Sequence, residues 1–131
     1  MAKFEKFEDI EAWRKARALN VKIYKITVKT AFSKDFALTN QIRKASISIM
    51  ANIAEGFGRK SNKEFINFLN IAHGSIAEIQ SHLYTSLDLE YINEEDFGIL
   101  YREADKISKM IQNLMNYLKK YNSRTPKLLN M

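Results

Sequence analysis

ANIAEGFGRKSNKEF, residues 51–65, separates two long runs of apolar residues at helical spacing. Three of the four glycines in the chain fall between Gly56 and Gly74, and Gly56 and Gly58 are followed at once by Arg59, Lys60 and Lys63. If a helix ends at Glu55, Gly56 is the residue expected to turn left-handed, since glycine adopts positive φ without Cβ strain. Ser61-Asn62-Lys63-Glu64 then reads as a capping box, with the Ser61 hydroxyl taking a helix N–H and Glu64 reaching back. On this reading the stretch is a helix–helix corner, with Phe57 covering the bundle end. A second reading makes the same corner an anion site, in which the N–H groups opening the next helix act together with Arg59 and Lys60. It is not a P-loop: the G-x-x-x-x-G-K-[ST] spacing is missing and no strand precedes it.

Working outward from this corner, four segments carry a helical period. The first covers roughly residues 8–30, where Ala12, Trp13, Ala16, Leu19, Ile23 and Ile26 share one arc at 100° per residue. Arg14, Lys15, Lys22, Lys25 and Lys29 gather opposite that arc, and Val21, Tyr24 and Val28 form a further apolar strip beside it. The second covers about 38–55, with Leu38, Ile42, Ala45, Ile49 and Ile53 in the core stripe and Ile47, Met50 and Ala54 beside them. Ser33, Asp35 and Thr39 are each able to cap its start. The third, about 62–89, aligns Phe65, Phe68, Leu69, Ala72, Ile76, Ile79, Leu83 and Leu87, with Ile66, His73, Ala77 and Tyr84 to one side. The fourth, about 94–121, repeats Phe97, Leu100, Ala104, Ile107, Ile111, Leu114, Leu118 and Tyr121 at alternating steps of three and four, a heptad seam. The connections are short, so successive helices are antiparallel neighbours. The expected fold is all-α, an up-down-up-down antiparallel four-helix bundle forming one domain over residues 1–121. The stretch NSRTPKLLNM, residues 122–131, is expected as a frayed tail.

Composition narrows the function classes. One proline and four glycines in 131 residues leave little room for the turns of a sandwich or barrel, and no cysteine means no disulfide or thiolate chemistry. No stretch reaches the ~20 apolar residues of a membrane span, and the charged opening MAKFEKFEDIEAW has no apolar signal region, so the expected address is the cytoplasm. Catalysis is not expected. His73 and His82 are nine residues apart, hence about 180° apart on one helix, and cannot share a metal. No Glu-x-x-His pair is present and no cofactor is implied.

Charge is segregated along the chain. Residues 1–63 hold 14 Lys/Arg against 6 Asp/Glu; residues 64–101 hold 7 acids and no Lys/Arg; residues 102–131 hold 7 basic and 2 acidic residues. Between residues 12 and 54 there are 9 basic residues and one acid, Asp35. A solvated helix face usually mixes signs, so this one-signed run points to a polyanion, with RNA or DNA gripped at the backbone. The candidates are Lys15, Lys22, Lys25 and Lys29, then Arg43, Lys44, Arg59 and Lys60. The apolar side strips Val21, Tyr24, Val28 and Ile47, Met50, Ala54 are candidates for contact with another subunit. An alternative is a protein-interaction scaffold, in which a basic face meets an acidic third helix.

EAWRKARALNVKIYKIT, QIRKASISIMANIAEGFGRKSNKEFINFLNIAHGSIAEIQSHL and YINEED closely resemble the bacterial four helix bundle protein family, some of whose members are encoded in intervening sequences of 23S rRNA genes. The similarity covers roughly residues 7–120. Met50 stands where many relatives carry proline, which implies a straighter second helix here. The resemblance implies a left-handed antiparallel bundle that assembles as a ring-like homopentamer. The family is also similar to the accessory protein of diversity-generating retroelements, which implies nucleic-acid binding and a protein partner such as a reverse transcriptase.

Overall fold

The computed structural model describes residues 4–120; the expected tail at 122–131 and Tyr121 lie outside the described residues. Five helices follow a short 3-10 turn at Phe7–Asp9: α1 Glu11–Thr27, α2 Thr30–Ser33, α3 Phe36–Phe57, α4 Asn62–Asp88 and α5 Glu94–Lys120. The four long ones form a square bundle. α3 and α4 share the most extensive seam, followed by α4 with α5, α1 with α3, and α1 with α5. Paired contacts show successive helices running antiparallel: Asn20 meets Ser46 and Thr27 meets Arg43, Ser48 meets Ser75 and Gly56 faces Phe68, and His73 meets Ser108 while Tyr84 meets Phe97. No strand is present among the described residues.

The four apolar stripes converge on one core. Leu19, Ile23, Ile42, Ile49, Ile53, Phe65, Leu69, Ile76, Ile79, Leu83, Ile111 and Leu118 have no accessible surface. Each such side chain contributes about 1.5–3 kcal/mol relative to an exposed one. That sum drives assembly, because the individual helices are only marginally stable by propensity.

The sequence suggested one first helix over residues 8–30, and the structure breaks it in three. The Asp9 carboxylate accepts from the Glu5 and Lys6 N–H groups at 2.9 and 3.2 Å, closing the 3-10 turn before α1 begins. These backbone donors, the Glu5 N–H foremost, hold the Asp9 carboxyl below its ordinary range. At the other end Thr27 donates back to Ile23 O at 2.9 Å, and Lys29 is extended (φ −67°, ψ 149°). The chain then crosses the bundle end through α2, whose Phe32 is buried and meets the Tyr91 ring at 5.2 Å. Apolar spacing continues through Val28, so periodicity alone carries no sign of this break.

α3 begins at Phe36 rather than Leu38. Of the three caps considered, Asp35 serves: its Oδ1 accepts from Leu38 N–H at 3.0 Å, and its Oδ2 accepts from the Tyr91 hydroxyl at 3.0 Å. That hydrogen bond holds the Tyr91 hydroxyl above the ordinary tyrosine range. Thr39 is buried instead and donates to Phe32 O.

The corner at residues 51–65 also differs from expectation. Gly56 is not a left-handed cap; α3 runs on to Phe57, and Gly58 ends it in an ordinary right-handed conformation, φ −75°. Gly56 is required by proximity: a Cβ there would lie 2.7 Å from Phe68 Cβ and 3.0 Å from Phe65 Cδ1. Half of the capping box forms, with Ser61 Oγ accepting from Glu64 N–H at 3.2 Å and donating to Glu64 Oε2 at 3.3 Å. Phe57 is buried and packs edge-on to Phe65 at 6.1 Å. Among the described residues, the one in the left-handed region is Glu90, φ 61°. It ends α4 in a Schellman motif, with Tyr91 N–H donating to Ser86 O and Glu90 N–H to Leu87 O.

Candidate nucleic-acid interface

The lysines of α1 do not point away from the bundle. Lys15, Lys22 and Lys29 flank the core stripe on the side of α5, with Lys25 next to them, and together they line the groove between the two helices. The groove has two hollows. The upper one, about 330 Å³, is lined by Lys22, Lys25, Ile26, Lys29, Asp96, Ile99 and Leu100. The lower one, about 240 Å³, is lined by Lys15, Ala18, Lys22, Glu103, Lys106, Ile107 and Met110. Its floor is apolar and its rims carry ammonium groups.

Geometry accounts for this arrangement. Seven residues of helix advance about 10.5 Å and return to nearly the same face, so Lys15 and Lys22 stack along α1, while Lys29 follows past its end in the extended turn before α2. Long lysine stems lie over apolar surface while their heads stay in water. Lys15, Lys25 and Lys29 are exposed, and among the described residues no carboxylate lies within ion-pair distance of them. Lys22 differs: its ammonium is paired across the groove with Glu103 Oε2.

The one-signed reading of residues 12–54 is therefore modified by α5. Asp96 and Glu103 add carboxylates to the groove, and Lys106 adds an exposed cation that sequence reasoning missed. The signal for Lys106 was its place on the same face of α5 as Glu103 and Met110, but the register of α5 against α1 is set by tertiary packing.

The other four candidates lie elsewhere. Arg43 is on the α1–α3 side, where its Nε donates to Thr27 Oγ1 at 2.8 Å and its guanidinium sits 4.5 Å from the Tyr24 ring centroid. Lys44 is exposed on the outer side of α3. Arg59 and Lys60 lie at the α3–α4 corner, at the opposite end of the bundle from Lys29. There Arg59 pairs with Glu55 at 2.6 Å and stacks over Phe68 at 4.7 Å, while Lys60 is exposed. Arg59 is thus committed to holding its own corner together.

The apolar strips do meet on one face. Val21, Val28 and Ile47 are exposed and Tyr24, Met50 and Ala54 half-buried along the outside of the α1–α3 seam, joined by Phe36 at 77% exposure. The opposite face, over α4–α5, carries a cluster of three rings: Tyr84 lies 4.9 Å from Phe97 and 5.8 Å from Tyr101. His73 Nε2 is 2.9 Å from Ser108 Oγ, while His82 approaches Glu78 at 3.5 Å on the other flank of α4. No group of three metal-ligating side chains exists among the described residues, and no described helix is long and apolar enough to cross a membrane.

These features can be set beside known proteins. No curated protein matches the chain. A crystal structure of a protein of unknown function from the S23 ribosomal protein family of Bacteroides thetaiotaomicron is similar, with 30% identity over 79% of this chain and 97% of that one, and a TM-score of 0.73. The family described as 23S rRNA-intervening sequence protein matches residues 8–113. Most of the bundle, its α3–α4 corner and all of its lysine groove fall within that span, and the chain belongs to the 23S rRNA-intervening sequence protein family.

Proposed function

We propose that this protein is a non-catalytic, homo-oligomeric bundle of the cytoplasm that binds RNA or DNA through its basic surface. The observation that carries this reading is the α1–α5 groove, where Lys15, Lys25, Lys29 and Lys106 are exposed around an apolar floor and, among the described residues, none of these four is paired with a carboxylate. Each phosphate held there releases counterions, so binding is salt-dependent and indifferent to sequence. The α1–α3 face supports self-association, and a homopentamer is the expected number by family resemblance. Repetition of the groove around such an assembly raises avidity without new contacts. Native mass measurement with and without a nucleic-acid strand tests both parts. A multimer that gains the mass of the strand is expected; a monomer that gains none overturns the reading.

A scaffold role is the second reading, favoured by the Tyr84–Phe97–Tyr101 cluster within a segment that has 7 acids and no Lys/Arg. Such a face suits a basic protein, a reverse transcriptase among the candidates. A partner retained after nuclease treatment supports this reading over the first.

A further inference from the structure

The two hollows of the α1–α5 groove share one wall, Lys22, and the Lys22–Glu103 pair lies across the groove where they meet. Below the pair stand Lys15 and Lys106; above it stand Lys25 and Lys29. No other ion pair among the described residues joins two helices: Arg59–Glu55, His82–Glu78 and Lys109–Asp105 are each between residues four apart in the chain. Both partners are partly solvated, the side chains of Lys22 and Glu103 being 48% and 30% exposed. A pair so exposed is worth at most about 1 kcal/mol, too little to justify it as the staple of this seam. It is also weak enough for a phosphate to exchange with the carboxylate.

Resting on the nucleic-acid reading above, we infer that Glu103 is an internal competitor for that backbone: its carboxylate occupies Lys22 in the free protein, and a nucleic-acid strand lying along the groove displaces it and joins the two hollows into one cationic track. The ligand class this selects is a chain of closely spaced phosphates, because contacts to Lys15, Lys25, Lys29 and Lys106 must accompany the opening of the pair.

The test is the affinity of the full chain for a single-stranded oligo(dT) at several salt concentrations. Glu103→Gln is compared with Asp88→Asn, which removes an exposed acid outside the groove and reports the effect of net charge alone. Glu103→Gln is expected to tighten binding about two- to fivefold, the scale of one exposed ion pair. Asp88→Asn should produce a smaller change. Lys22→Gln added to Glu103→Gln should cancel the gain. An equal response to Glu103→Gln and Asp88→Asn, or a gain that survives Lys22→Gln, overturns the competitor role while leaving groove binding intact. Absence of binding by every variant overturns the nucleic-acid reading itself.

Discussion

The α3–α4 seam and the α1–α5 seam are built from the same kind of amphipathic helix but close in opposite ways. Along α3–α4 the contacting residues are thin. Gly56 lies against Phe68 with no space for a methyl group, and Ser75 Oγ donates to Ser48 Oγ at 2.8 Å. Small side chains let the backbones approach, and the seam is the most extensive in the molecule. Along α1–α5 the flanking residues are Lys15, Lys22, Lys25, Lys29 and Lys106, whose long stems hold a furrow open above the core. One seam uses its flanks for packing and the other keeps them for solvent and ligand. Residue length at the flank, more than hydrophobicity of the stripe, decides which seam becomes a surface feature.

That contrast can be broken most severely at Gly56. Gly56→Ala should destabilise the bundle by about 1–3 kcal/mol, the range for overpacking, because Phe68 Cβ is tied to the α4 backbone and cannot swing away; chemical denaturation measures it. Ser75→Ala removes one cross-helix hydrogen bond and should cost about 0.5–1.5 kcal/mol in the same assay. Gly74 sharpens the comparison with a change of sign. A Cβ there meets nothing within 4 Å, and the position is exposed within α4, so Gly74→Ala should stabilise by about 0.5–1 kcal/mol. On the lysine seam the effect on folding should be smallest. Lys22→Gln is expected to change unfolding free energy by less than about 1 kcal/mol, since the lost pair is solvated.

Much of this was legible in the chain. The stripes of α3, α4 and α5 placed three helices closely, whereas the lysines expected opposite the core arc of the first helix line its seam with α5, and Lys29 lies past the end of α1. What escaped the sequence was non-local. Gly56 looked like a helix terminus because glycine after a helix usually signals a left-handed turn, whereas the constraint comes from Phe65 and Phe68 of the next helix. The end of α1 at Thr27 escaped because Val28 prolongs the apolar spacing. The partner of Lys22 lies 81 positions away on α5, and only the packing register brings Glu103 opposite it. For the same reason Asp96 and Lys106 were invisible as members of the groove. The arginines misled in another way: Arg43 and Arg59 carry the right charge but are held by Tyr24, Thr27, Glu55 and Phe68.

The most direct test of the groove as a nucleic-acid site is the salt dependence of binding for the native chain and for a Lys15→Gln, Lys22→Gln, Lys25→Gln, Lys29→Gln variant. The native protein should lose affinity steeply as salt rises, and the variant's logarithmic slope for a single strand should be shallower by about 3, near 0.7 for each phosphate contact removed, with its unfolding midpoint little changed. Equal slopes for the two proteins would contradict the account.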